Sequence, residues 1–376
     1  MSVIIYFGNL FLNVIYFFYK FLPTKDKITF ISRQSDRPSE DIYLLKQELE
    51  YQKPGLEIEI LCKKIGKSFL GKIEYFFHMI TKQMYALATS KAIVLDGYCI
   101  TVSMLKHKKE LRVVQMWHAM GALKKFGYCS VGEEEGVNKK IATIMKMHKN
   151  YDIVFVSSEK CKQLLAPAYK CKEEIMKVMP LPRLDIIMNL EYNKQMKGKI
   201  YEIYPELKVK KTILYAPTFR KGPLNKKYIQ DLIDIVDYEK YNLIVKLHPL
   251  IQDCDFLDSK SIFDKKFSSI DLLCVSDYII TDYSAFIFEA AIAGKPLYRY
   301  VPDKEQYEKN RGFLIDIDSE FPGEQSPRAK EIITKIEEEE YDLVKIKRFS
   351  EKYIKNTGDF TKNMAKYILQ ISFGGN

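Results

Sequence analysis

The sequence predicts an α/β protein of two domains, each built on a mostly parallel sheet. Two observations carry this. Short apolar runs with a β-branched bias recur in both halves, each followed by a helical pattern. A stretch near residues 195–208, where Lys, Glu and Tyr replace the apolar runs, separates the halves. With 376 residues the chain is long enough to bury a sizeable core in each.

The N-terminal stretch from Ser2 to Leu22 is strongly apolar and aromatic. It lacks a basic leader and an Ala-x-Ala cleavage site, so it does not read as a secretory signal. Its length would just allow a membrane span. Ser2, Tyr6, Asn9, Asn13, Tyr16 and Lys20, however, fall three or four residues apart and line one face of a helix. A helix with one polar stripe more often lies in a membrane interface or a protein groove than across the bilayer. Residues 1–23 are therefore expected to form an amphipathic, membrane-associated helix, the alternative being a helix buried on its own domain. Pro23 closes the segment.

From Lys27 strands and helices alternate. Ile28 to Ile31 reads as a strand, followed by the polar loop Ser32 to Pro38 and a helix to about Glu50. Leu56 to Cys62 alternates with period two, as a half-buried strand does. Phe69 to Ala88 is helical, Ala92 to Leu95 is a buried strand, and Val113 to Met116 is a strand that feeds Trp117-His118. Ile153 to Val156 and Val178-Met179 complete this half, and helical sequence from Leu184 to Tyr204 ends it.

The second half restarts the pattern. Thr212 to Tyr215 is a strand ending at Ala216-Pro217-Thr218-Phe219-Arg220, and Asn242 to Lys246 is a strand ending at Leu247-His248-Pro249. Tyr278 to Ile280 is a buried strand that ends at Thr281-Asp282-Tyr283-Ser284, with a helix from Ala285 to Ala293 behind it. Gly294-Lys295-Pro296 stops that helix, and Leu297 to Tyr300 is the next strand. A helix start at the carboxyl edge of a parallel sheet offers free N–H groups and a positive dipole end to an anion. Thr281 and Ser284 add hydroxyls there, and Arg311 brings a full charge, so the turn reads as a phosphate seat. A plain helix cap is the alternative. Lys330 to Gln370 is helical, with a solvated acidic run at Glu337 to Glu340.

Composition narrows the partners. The net charge of +10 is spread in Lys-rich patches, which favours an anionic surface or substrate. No zinc-finger spacing, basic-region helix or aromatic-basic RNA motif points to nucleic acid. The seven cysteines are scattered and odd in number, with no CxxC pair, as in a reduced interior.

Four segments resemble a known family. Ser276 to Ser284, the helix behind it, Lys295-Pro296 and Arg311-Gly312-Phe313 resemble the C-terminal signature of the CDP-glycerol glycerophosphotransferases, enzymes that prime and polymerise teichoic acids. Trp117-His118-Ala119-Met120-Gly121-Ala122-Leu123-Lys124-Lys125 resembles the family's Trp-His-Gly-Thr-Pro-Leu-Lys-Lys segment in a form one residue longer, with Ala119 where Gly is more usual. Tyr215 to Arg220 resembles Tyr-Ala-Pro-Thr-Trp-Arg, with Phe219 for Trp. Pro182-Arg183-Leu184-Asp185 resembles the Pro-Arg-Asn-Asp turn, read here as structural, with Pro180 where Gly is usual.

The resemblance implies a GT-B-like fold, two Rossmann-type domains facing a central cleft, with residues 24–200 on the acceptor side and 201–376 binding the nucleotide. It implies that His118 is the catalytic base and that His248 matches the second family histidine, held extended by Pro249 and able to donate to a phosphate oxygen. Thr218 and Arg220 are candidates for the nucleotide cleft. Glu289 either holds ribose hydroxyls or caps its helix.

The implied reaction transfers glycerol or ribitol phosphate from CDP-glycerol or CDP-ribitol to a hydroxyl of a lipid-linked cell-wall or capsule polymer, with CMP leaving. The protein would act at the cytoplasmic face of the membrane, bound peripherally to an anionic surface. Asp253-Cys254-Asp255 and Asp316-Ile317-Asp318 have DxD spacing but lie away from the family motifs. They read as surface acids, so no tightly bound metal or cofactor is expected. Two rival readings are a GT-B glycosyltransferase using a nucleotide sugar and a membrane-bound binding protein without turnover.

Overall fold

The computed structural model describes residues 2–134, 136–218, 224–247 and 260–374. Two compact units divide the chain. The first takes Met1–Ala119, Lys125–Asp185 and Lys355–Asn376, and the second takes Met120–Lys124 and Ile186–Ile354.

The first unit is built on six parallel strands: β1 (Lys27–Ser32), β2 (Glu57–Cys62), β3 (Ala92–Leu95), β4 (Arg112–Gln115), β5 (Ile153–Val156) and β6 (Met176–Val178). Their order is β2-β1-β3-β4-β5-β6. β1 and β3 are buried along their whole length, whereas the alternating β2 is an edge strand. A parallel sheet covered on both faces needs continuous apolar runs in its centre, which is what Ala92 to Leu95 supplies. Strand order reverses between β1 and β3, and open α/β sheets bind ligands outside such a reversal. The loops Ser32-Arg33-Gln34 and Asp96-Gly97 leave the sheet there.

The last helix, Phe360–Phe373, returns to this unit and packs on the helix Glu40–Gln52. Asp185 ties down its start, accepting the N–H groups of Phe360 and Thr361 at 3.0 and 2.7 Å and the Thr361 hydroxyl at 2.6 Å. The boundary expected at residue 200 falls inside the helix Leu190–Ile203. That helix belongs to the second unit, where the Tyr192 hydroxyl donates to Asp271 at 2.7 Å.

The N-terminal helix, Ser2–Tyr19, turns Asn13 and Tyr16 of its polar stripe toward the protein. Asn13 accepts the N–H of Lys106 at 3.1 Å and donates to the carbonyl of Met104, while Tyr16 is buried edge-on against His107. The apolar face points outward: Phe7, Leu10, Phe11, Val14, Phe17, Phe18 and the following Phe21 are each more than half exposed, as is Tyr6 of the stripe. Among the described residues no helix is long and apolar enough to cross a membrane.

The second unit is also built on six parallel strands: β7 (Lys211–Tyr215), β8 (Tyr241–Val245), β9 (Ile262–Phe263), β10 (Tyr278–Thr281), β11 (Leu297–Tyr300) and β12 (Glu324–Ser326). The order β12-β11-β10-β7-β8-β9 is the dinucleotide-binding arrangement, with its reversal between β7 and β10. On one face Ile213, Tyr215, Leu243, Val245, Tyr278, Ile280, Tyr298 and Tyr300 alternate inward. They meet Ile229, Leu232 and Ile233 of one helix and Ile332, Ile333 and Ile336 of another. On the other face Phe288 of the helix Phe286–Ile292 stacks on Phe349 at 5.3 Å and 6°. The edge strands β9 and β12 were not expected: one has two residues, and the other is the polar run Glu324-Gln325-Ser326.

Candidate active site

His118 stands just beyond the carboxyl end of β4, beside the reversal of the first sheet. β4 ends in Gln115, a fully buried amide that donates to the carbonyl of Gly97 at 2.9 Å and accepts the N–H of Trp117 at 2.9 Å. Trp117 adopts a left-handed backbone, φ 63°, which a bulky residue holds only when its surroundings enforce it. Its ring stacks on Phe126 at 4.4 Å and lies 4.3 Å from the His118 ring. The chain therefore turns sharply and presents His118.

Nδ1 of His118 lies 2.8 Å from the backbone carbonyl of Asp96, an oxygen that can only accept. The proton therefore sits on Nδ1, and Nε2 keeps its lone pair in the neutral ring. The Gln34 amide lies 3.3 Å from the same Nδ1. Burial holds the imidazole pKa below its ordinary value; the bond to Asp96 pulls the other way, and the charge of Arg183 adds to the lowering. A neutral imidazole with one basic nitrogen is the state a general base needs.

Asp96 follows the all-apolar β3 and was not singled out from the sequence. Its carboxyl is buried, which pushes its pKa up to about 6. Its position directly after a buried strand, next to Gly97, was the signal available.

The segment after His118 joins the second unit. The Leu123 carbonyl accepts the N–H of Leu314 at 2.8 Å, and Lys124 bridges to Phe313. Gly121 has φ +66°, and a Cβ there would come within 2.3 Å of the Phe288 ring. The glycine is required at this position, whereas Ala119 is accommodated.

In the second unit the loops after β7 and β10 meet at the reversal of the sheet. Asp282, buried at the end of β10, is the pin between them. Its carboxylate accepts the Thr218 N–H at 2.9 and 3.0 Å, the Thr218 hydroxyl at 2.6 Å and the Tyr283 N–H at 2.5 Å. The sequence reading passed over Asp282.

One expected donor is corrected by this geometry. Thr281 is fully buried and its hydroxyl donates to the carbonyl of Ala216 at 2.9 Å, so it closes the β7–β10 junction and does not reach an anion. Thr218 directs its hydroxyl proton to Asp282 and acts as a structural tie.

Ser284 is part-exposed at the turn, with its oxygen accepting the Phe286 N–H at 3.3 Å. Glu289 is buried in the first turn of the helix Phe286–Ile292, where a carboxylate favours the positive dipole end. Tyr283 stacks on Tyr307 at 3.8 Å and 12°, and Phe313 lies 5.8 Å from Tyr283. These rings hold the helix Lys304–Arg311 and Gly312-Phe313 against the turn, with Arg311 exposed at the helix end. The structure thus gathers Ser284, Glu289 and the Arg311 segment around one turn. His248, Arg220 and the Asp253–Asp255 pair lie outside the described residues.

Asp318 of the second DxD pairs with Arg299 and, at 2.5 Å, with Lys304, and Asp316 accepts the Ser319 hydroxyl at 2.7 Å. Both acids are engaged by neighbouring side chains.

Two doubly wound parallel sheets, with polar loops collected at their carboxyl edges, define a GT-B-like α/β protein. The model of the CDP-Glycerol:Poly(glycerophosphate) glycerophosphotransferase family matches residues 14–370, and the chain belongs to that family. It is 32% identical over 368 residues to the teichoic acid ribitol-phosphate primase of Bacillus spizizenii, covering 93% of this chain and 92% of that protein. It is 30% identical over 377 residues to the teichoic acid glycerol-phosphate primase of Bacillus subtilis, covering 95% of each. A solved structure of the wall teichoic acid polymerase TagF shares the fold, with a TM-score of 0.72 at 18% identity over 99% of this chain and 97% of that one.

Proposed function

We propose that the protein transfers glycerol phosphate or ribitol phosphate from a CDP-alditol to a hydroxyl of a lipid-linked cell-wall or capsule polymer, releasing CMP. The observation that carries the reading is the fixed tautomer of His118 in a chain of this family. Nε2 takes the proton of the acceptor hydroxyl as its oxygen attacks the β-phosphorus of the donor. A bond forms between the acceptor oxygen and that phosphorus. The bond from phosphorus to the bridging oxygen breaks, and CMP leaves with that oxygen.

Ser284 and Arg311 neutralise pyrophosphate charge, the one as a hydroxyl donor and the other as a cation. Glu289 is assigned to the ribose hydroxyls, and His248 and Arg220 keep the nucleotide-side roles that the family motifs imply. The acceptor side is assigned to the first unit and the nucleotide side to the second. No tightly bound cofactor enters the reaction.

The protein works peripherally on the cytoplasmic face of an anionic membrane. The outward apolar face of the N-terminal helix supports this, together with exposed Phe69, Leu70 and Phe77 on the helix Phe69–His78.

Purified protein incubated with CDP-glycerol or CDP-ribitol and a short lipid-linked acceptor should release CMP in step with acceptor growth. Release of a nucleoside diphosphate from a nucleotide sugar would replace this reading with glycosyl transfer. Donor binding without release would leave a binding protein.

A further inference from the structure

Arg183 opens the helix Arg183–Met188 in the turn that the sequence suggested was only structural. Its N–H donates to one oxygen of Asp41 at 2.9 Å and its Nε to the other at 2.9 Å, with Nη2 closing the ion pair. Nη2 also donates to the backbone carbonyl of His118 at 3.0 Å. The Asp41 side chain is 1% exposed and that of Arg183 18%. A pair this far from water is stable only when both partners are fully engaged. Here the carboxylate is used on both oxygens, and one guanidinium proton is turned outward to His118.

That contact completes a set. The peptide before His118 is held by Gln115, which accepts the N–H of the left-handed Trp117. The imidazole is held by the Asp96 carbonyl. The peptide after His118 is held by Arg183, whose Nη2 donates to its carbonyl. A strained turn settles into another conformation when one of its restraints is lost, and a small misplacement of a reacting group is enough to slow a reaction strongly.

Resting on the general-base reading of His118, we propose that Arg183, anchored by Asp41, is a positioning residue that aims His118 at the acceptor hydroxyl. The guanidinium fork is needed because one planar group must serve a carboxylate and a carbonyl together. A lysine ammonium supplies the charge without that geometry. The competing account is that Arg183 and Asp41 only tie two helices together, in which case their loss would act on the whole unit rather than through His118.

The test measures CMP release and CDP-alditol affinity for Arg183→Lys, His118→Ala and the double variant. Arg183→Lys should lower turnover about 10–100-fold, the range expected when a supporting contact to a reacting group is lost. Donor affinity should be unchanged. In the His118→Ala background the same substitution should add no further loss, because the two residues act as one unit. Parent-like turnover of Arg183→Lys, or the same fold loss in both backgrounds, would overturn the inference. Asp41→Asn, which keeps the buried shape, serves as the second probe and should show the same dependence on His118; a loss independent of His118 counts against the proposal. Normal CMP release from His118→Ala would remove the base assignment itself. An impaired His118→Ala beside an unaffected Arg183→Lys would remove only the role of Arg183.

Discussion

The carboxylate of Asp282 holds both the backbone N–H and the hydroxyl of Thr218, which lies 64 residues away in sequence. It also takes the N–H of Tyr283, so one buried side chain fixes the loops after β7 and β10 at the reversal of the second sheet. Removing the carboxylate leaves buried donors without an acceptor, at about 1–3 kcal/mol for each such group. Asp282→Ala should therefore lower the unfolding free energy by at least that amount and weaken CDP-alditol binding. Thr218→Ser should be nearly neutral and Thr218→Val intermediate. Denaturant melts and calorimetry would check the order; an Asp282→Ala protein as stable as its parent would show that the loops are held by other contacts.

Ser284 and Arg311 should differ in weight. Loss of a neutral hydrogen bond costs about 0.5–1.5 kcal/mol, and loss of a charge-assisted one about 1.5–3. Ser284→Ala is then expected to weaken donor binding by up to about tenfold and Arg311→Ala by more, with a shallower salt dependence for the latter. Calorimetry with CDP-glycerol and CDP-ribitol reads both. Parent-like binding by both variants would make the turn a helix cap and nothing more.

Much of this arrangement was legible because the cues are local. Tyr278 to Ile280 is a buried strand by composition. The edge strands β9 and β12 were missed because two residues, or three polar ones, carry no periodicity. Thr281 reads as an anion donor because sequence shows a hydroxyl but not where its proton points. Asp185 and the N–H groups of Phe360 and Thr361 are neighbours only after folding, so nothing near residue 355 announced a return to the first unit. The same holds for Arg183 and His118.

The polar stripe of the N-terminal helix was legible, and its direction was not. Asn13 and Tyr16 turn toward the protein while the aromatic face is left in water. Withdrawing a phenylalanine ring fully from water contributes about 1.5–3 kcal/mol, so the loss of three rings removes a large part of the affinity for a bilayer that the proposed membrane role requires. Phe7→Ser, Phe11→Ser and Phe18→Ser together should abolish co-sedimentation with phosphatidylglycerol vesicles, at low and high salt alike. The melting temperature should hold, since all three rings are exposed. Undiminished vesicle binding would assign the apolar face some other partner.

With His118 as the proposed base, turnover needs its Nε2 unprotonated. Burial lowers its pKa from the ordinary 6.5, the Asp96 carbonyl and Asp41 oppose this, and Arg183 and Arg33 reinforce it. His118 therefore stays neutral at neutral pH, and turnover should fall only as pH drops through a value below 6.5. Stability follows a second histidine. His148, packed among Trp117, Phe126 and Tyr169 and bonded to the Tyr151 hydroxyl at 3.0 Å, has its pKa pushed down to about 3, by burial first and by the charge of Arg33 second. Between 6.5 and about 3 the unfolded chain carries a proton on this histidine that the folded chain refuses. The unfolded state then binds more protons, so stability rises with pH across that window and is lost as pH falls through it. His148→Asn, which tolerates the left-handed φ of 60° at this position, should flatten the acid decline in melting temperature while leaving the acid limb of turnover in place. An acid limb centred at or above 6.5 would mean that the titrating group is not His118.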